Sequence, residues 1–351
     1  MLKLLVSFPL VWLTAAAARS QPPKVLDEKY VSPGFALAVT FEPARFHKAA
    51  KAAGLPTDDW WEQARKQSGI DLTQVERVTG LHEPLLSWSV LGMGAIALRY
   101  PDGVDRRAKL AEILGDDAVK TTAGDHSYYR SKKYRFLDQA ELEMAGYADR
   151  DVLLSVWPML EYMLGVPWDD KRFEKELDRR LARNFAFGNL TPPTGKPSPL
   201  GRTLNAADVN HDLVLIFTPR PILDKLAKLK DWKDPPAEVS KDYLPVWLAL
   251  KRTEAVVATL DFGAEVFMRV EFRAAGAEGA KVVLEGLTVL LAKAKADYPG
   301  VRQELLSDLS PEVRTPILAV VDELISDHAL VLDGNAVALT IRRPKNLVYQ
   351  K

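Results

Sequence analysis

Five histidines, His47, His82, His126, His211 and His328, are the first residues to ask about chemistry. Three adjoin an aspartate: Asp125–His126, His211–Asp212 and Asp327–His328. An imidazole beside a carboxylate is the raw material of general acid–base catalysis and of metal ligation. Within one strand, however, neighbouring side chains point to opposite faces, so an adjacent pair shares neither a proton nor an ion. No H-E-x-x-H or H-x-H spacing occurs. The expectation is structural or surface histidines, with His211 and His328 at strand entrances and no catalytic or metal-ligating residue assigned.

The most concentrated basic and aromatic stretch is Tyr128–Phe136, YYRSKKYRF. Arg130, Lys132, Lys133 and Arg135 interleave there with Tyr128, Tyr129 and Tyr134, a pattern able to hold phosphates and stack bases. The whole chain balances 47 basic against 47 acidic residues, so no net field draws nucleic acid or an anionic membrane to it. A charged hairpin or edge strand is the simpler reading, because Lys and Arg discourage edge-to-edge pairing. These four cations are the candidate surface for an anionic envelope polymer.

Gly92–Ala97, GMGAIA, matches the dinucleotide fingerprint, which requires a helix to start at its glycines. Ile96, Leu98 and Tyr100 instead alternate with Ala95, Ala97 and Arg99 up to Pro101, which is strand spacing. No nucleotide or other cofactor is expected. No P-loop, G-x-S-x-G elbow or S-x-x-K is present. The absence of cysteine excludes thiol catalysis, cysteine-type zinc sites and iron–sulfur clusters. Trp60 and Trp61 occupy adjacent helix positions, about 100° apart, which gives one to the core and one to a neighbour. Asp322–Glu323 reads as a solvated helix face.

Behind these residues lies a simple organisation. Residues 1–20, MLKLLVSFPLVWLTAAAARS, have the basic start, apolar run and small-residue exit of a secretory signal. The apolar run is shorter than the roughly 20 residues of a membrane span and contains Pro9. Cleavage falls after Ala18 or Ser20, and removal of residues 1–20 takes Lys3 and Arg19, leaving 45 basic residues against 47 acidic ones. An exported chain of this size without a disulfide points to a bacterial periplasmic or secreted protein, with no membrane span after cleavage.

Residues 21–186 and 210–351 read as two α+β units, separated by a Pro/Gly/Thr-rich linker over 187–209. Phe35–Phe41 and Leu213–Phe217 are strands, each followed by a proline that opens a helix. Laid over each other, Phe41 and Pro43 match Phe217 and Pro219, and Val78 matches Val256. Leu98 and Arg99 match Phe272 and Arg273. Val152, Leu154 and Val156 match Val337, Leu339 and Ile341. The expected fold is two repeated βαββα-type, split-βαβ-like units with mainly antiparallel sheets and helices on one face.

The pieces FALAVTFEPARF, HDLVLIFTPRPIL and LLSWSVLGMGAIALRY resemble, in style, uncharacterised exported proteins of planctomycete-type bacteria. The resemblance implies export and no particular activity. The functional expectation is an exported, non-enzymatic binding or scaffold protein of the bacterial envelope, its ligand open. The rival is an envelope hydrolase with its site in the groove between the repeats. A deep cleft with converging His, Asp or Glu argues for the hydrolase, and a filled junction for the scaffold.

Overall fold

Strand β1 (Leu37–Phe41) alternates buried and half-buried residues, and Pro43 opens helix α1 (Pro43–Ala52), where its missing N–H leaves no bond unmade. The computed structural model describes residues 25–55, 57–83, 93–131, 143–166, 198–227, 233–236, 239–302, 311–326 and 328–344. Residues 1–20, Lys132, Lys133 and Arg135 therefore lie outside the described residues.

The first half continues with α2 (Thr57–Ser68), β2 (Arg77–Glu83), β3 (Met93–Arg99) and α3 (Arg106–Leu114). Asp105 caps α3 by accepting from the N–H groups of Arg107 and Ala108, and Gly115 closes it at φ 80°. Strands β4 (Val119–Ala123), β5 (His126–Ser131), β6 (Met144–Ala148) and β7 (Val152–Val156) lead into α4 (Trp157–Met163). After α5 (Pro199–Ala206), the second half runs β8 (Leu213–Phe217), α6 (Arg220–Leu226), α7 (Leu244–Arg252), β9 (Thr253–Leu260) and β10 (Val266–Ala274). It closes with α8 (Ala277–Val301), α9 (Pro311–Ser326), β11 (His328–Asp333) and β12 (Ala336–Arg342).

The twelve strands among the described residues form one sheet, ordered β11-β12-β10-β9-β8-β1-β2-β3-β7-β6-β5-β4. Every described pairing is antiparallel. The halves meet at β1 and β8, where Val39 pairs with Leu215 and Leu37 with Phe217. Outward from that joint, one side runs β1-β2-β3-β7-β6 and the other β8-β9-β10-β12-β11. Corresponding rows agree residue by residue. Phe41 pairs with Val78, Val78 with Leu98, Leu98 with Val152 and Val152 with Ala148. On the other side Phe217 pairs with Val256, Val256 with Phe272, Phe272 with Val337 and Val337 with Leu332.

The sequence leaves open whether the halves share a sheet, and two other expectations change. The halves share one sheet. Helices cover both faces of the first half: Leu153 faces α4 and α5, while Leu154, next in β7, faces α3. A strand whose consecutive residues are all buried needs cover on both sides, which is why β7 reads V-L-L rather than alternating. Fully burying one such leucine favours folding by roughly 1.5–3 kcal/mol. Residues 199–206, inside the expected linker, form a helix. Ser198 caps it through Gly201 N–H, and Leu200 and Leu204 are completely buried on one face. Gly94, within the dinucleotide-like motif, lies in strand β3, where an added Cβ would stand 3.1 Å from the Leu81 carbonyl oxygen. Among the described residues no helix is long and apolar enough to cross a membrane.

Candidate functional site

The joint between the halves carries a converging set of charged side chains. Asp212 stands at the entrance to β8 and is 6% exposed. One of its carboxylate oxygens accepts from Arg45 Nε at 3.1 Å and the other from Phe262 N–H at 2.8 Å. Asp261 follows β9. Its Oδ1 accepts from Asp212 N–H at 3.2 Å and from Arg45 Nη2 at 3.4 Å, and its Oδ2 lies 2.6 Å from His211 Nδ1. A carboxylate only accepts, so the imidazole donates through Nδ1. His211 Nε2 lies 3.9 Å from Asp208 Oδ2.

Beneath this clamp the residue after Arg45, Phe46, packs edge-on to Phe262 at 5.6 Å and stacks on Trp61 at 5.9 Å. Trp61 is half-buried on Phe46 and Trp60 is exposed, so neither takes the core position expected of one member of the pair. The charged row continues along the same end of the sheet. Arg77 pairs with Glu42, and Arg99 grips Asp151 with two bonds, at 2.8 and 3.0 Å. Burial, with Arg99 and Arg45 nearby, holds the Arg77 guanidinium below its ordinary value against the pull of Glu42.

An Asp–His pair is half of a catalytic triad, orienting an imidazole for proton transfer. Here all four oxygens of Asp212 and Asp261 take protein donors, and Arg45 bridges both carboxylates. The arrangement fastens α1 to the turn after β9. His211 and Asp212 are not the isolated strand-entrance residues expected from the sequence. They ignore each other, as the strand geometry requires, and both engage partners on Asp261 and its neighbours. Of the other histidines, His47 faces Asp58 at 2.7 Å, His126 packs edge-on to Tyr147, and His82 is held below its ordinary pKa by burial. Among the described residues no group of three or more His, Asp or Glu is placed to hold a metal ion.

The basic and aromatic stretch folds inward at its start. Tyr128 is completely buried and donates to Glu161, and Trp157 Nε1–H donates to Glu161 Oε1 at 2.9 Å and to the Tyr128 hydroxyl at 3.0 Å. Burial first, and the bond to Glu161 second, push the Tyr128 phenol well above its ordinary value. The Arg130 guanidinium lies 3.9 Å over the Trp157 ring while Nε donates to Glu143 at 2.6 Å. Arg130 is therefore engaged with protein groups rather than presented for a polymer.

A concavity of about 750 Å³ opens between α9, the end of α8 and the end of β12. Glu265, Arg302, Asp322, Glu323, Arg342 and Arg343 supply its charges. Asp322 accepts from both Arg302 Nε and Nη2, at 3.0 and 2.7 Å, and from the Tyr298 hydroxyl at 2.6 Å. Arg302 first, and Tyr298 with it, hold the Asp322 carboxyl below its usual range. Asp322 thus ties α8 to α9 while its side chain stays 41% exposed, on the solvated face read from the sequence.

Comparison with known proteins adds little to this geometry. No family model matches the chain, and no curated protein does. Two solved structures of TP0453, a spirochete protein, align over most of the chain. Crystal form III gives 11% identity and a TM-score of 0.36 over 93% of this chain and 98% of that one. Crystal form I gives 10% and 0.35 over 92% and 93%. Likeness of that size carries no argument about activity.

Proposed function

We propose that the chain is an exported binding or scaffold protein of a bacterial envelope, made of two diverged copies of one βαββα unit. The leader grammar of residues 1–20 supports export. The equal strand order on either side of β1 and β8, and the row-by-row agreement of Phe41, Val78, Leu98 and Val152 with Phe217, Val256, Phe272 and Val337, support the duplication.

One observation carries the non-enzymatic reading. The groove where a hydrolase between repeats would work is filled by the β1–β8 ladder, and the carboxylates there are engaged by Arg45, His211 and backbone N–H groups. The envelope hydrolase is the second reading, favoured by the His211–Asp261 pair, whose carboxylate holds the imidazole through Nδ1.

Cosedimentation of the purified protein with isolated cell-wall sacculi, with the supernatant assayed for released fragments, separates the two. Binding without release is the expected result. Release that disappears in His211→Ala replaces the scaffold reading with the hydrolase. N-terminal sequencing of the exported protein should find Met1 removed. If the anionic-polymer surface operates, Lys132→Glu with Lys133→Glu lowers retention on the envelope fraction.

A further inference from the structure

One face of α9 lines the concavity at the end of α8. Thr315, Leu318, Ala319, Asp322, Glu323 and Ser326 recur there at i, i+3, i+4, i+7, i+8 and i+11, the spacing of a single helix face. Leu318 and Ala319 make the middle of that face apolar, and polar side chains flank them. The sheet supplies a second wall. Arg343 N–H donates to the Glu265 carbonyl at 2.8 Å, which ties the end of β12 to the start of β10, so both residues leave a fixed backbone. Arg302 and Asp322 take up each other's charge. Among the described residues, the Glu265 and Glu323 carboxylates and the Arg343 guanidinium are in no ion pair. The cavity therefore keeps unmatched charge of both signs. Its volume of about 750 Å³ falls among pockets that enclose small ligands, roughly 300–1,000 Å³.

We infer that this concavity binds a short zwitterionic peptide over the apolar middle of the α9 face. Arg343 holds the peptide's terminal carboxylate, which a guanidinium grips with two parallel bonds. Glu265 and Glu323 hold its terminal ammonium group. The charge pattern selects this class over two others. An anionic polymer would meet the two carboxylates as like charges, and such a juxtaposition is costly. A neutral glycan would take charges of both signs out of water and give them no counter-charge. A peptide with both ends free matches both signs and lays a small apolar body against Leu318 and Ala319. The inference rests on the binding role proposed above and gives it a ligand class. The two fail separately, because peptide titration reports on this cavity alone and cosedimentation with sacculi on the whole protein.

Calorimetric titration of the purified protein with trialanine, N-acetyl-trialanine and trialanine amide tests it. Unblocked trialanine should bind at millimolar concentration or below. Each blocked form should bind about tenfold more weakly, because it loses one charge-assisted contact. Arg343→Gln should erase the preference for the free carboxylate and keep that for the free amine. Glu265→Gln combined with Glu323→Gln should do the reverse. Both variants should melt as wild type does, since Glu265 and Arg343 are exposed and Glu323 is half-buried. Absence of trialanine binding at millimolar concentration overturns the proposal, as does equal binding of the three peptides. Tighter binding of a blocked form would mean a site for one sign of charge only and likewise overturns it. So does a preference for free ends that both variants leave intact, which would place the peptide elsewhere on the protein.

Discussion

Arg45 and Asp212 are 167 residues apart in the chain and 3.1 Å apart in the fold, joining helix α1 of the first half to the entrance of β8 in the second. Arg45→Ala leaves the nearly buried Asp212 carboxylate without its cation. The expected loss is about 1–3 kcal/mol, read as a lower urea midpoint at unchanged slope. Arg220→Ala breaks an equally well-formed pair with Asp224, but both side chains are more than half exposed, so the loss there stays near about 0.5 kcal/mol. Equal losses from the two variants would show that the joint gains nothing from its clamp.

Two glycines of α8 should respond with opposite signs to the same change. A Cβ on Gly286 would stand 2.4 Å from Ala249 Cβ and 2.6 Å from the Pro245 carbonyl oxygen, so Gly286→Ala forces α7 and α8 apart. That overpacking costs about 1–3 kcal/mol, more than the roughly 1 kcal/mol by which alanine favours a helix over glycine. Gly300 has nothing within 4 Å of such a Cβ. Gly300→Ala should leave stability equal or raise it by up to about 1 kcal/mol. Thermal melting of both variants decides it.

The buried trio of Tyr128, Trp157 and Glu161 predicts an order of effects. Tyr128→Phe removes one donor and leaves the Trp157–Glu161 bond, lowering stability by about 1–2 kcal/mol. Glu161→Ala should cost more, because it removes the acceptor both donors share. Chemical denaturation curves that rank the variants the other way would exclude this account of the trio.

His82 sits in β2 between Leu37 and Gly94, and burial holds its imidazole below the ordinary 6.5. A depressed pKa means that the folded state favours the neutral ring. Its contribution is complete above pH 6.5 and is lost as pH falls through the lower folded value. The stability of wild type relative to His82→Gln should therefore decline as the solution is acidified below pH 6.5. A pH-independent difference in unfolding midpoint would rule this out.

Local elements were legible wherever one short signal set them. Pro43 fixed the start of α1, the apolar run 213–217 is β8 to the residue, and Gly115 ends α3. Pro245 delays α7 to Leu244, as its ring predicts. The stretch from Val119 to Ser131 turns at Gly124 with φ 57° to make the β4–β5 hairpin, and that single glycine is the only local mark of the break. Helix α5 was hidden because proline and glycine dominate its surroundings. Its own signals, Ser198 before Pro199 and leucines at 200 and 204, are short. The joint was illegible for another reason. His211 finds its partner 50 residues on and Asp212 finds its own 167 residues back, and neither distance leaves a trace in local spacing.

A sheet that runs without interruption through both halves also has a mechanical character. The halves have no hinge between them, because the β1–β8 ladder would have to break for either to swing. A load applied between the two edges crosses every ladder in turn, the β1–β8 joint among them. Pulled from its edges in a single-molecule trace, the protein should show no low-force event in which one half swings away from the other.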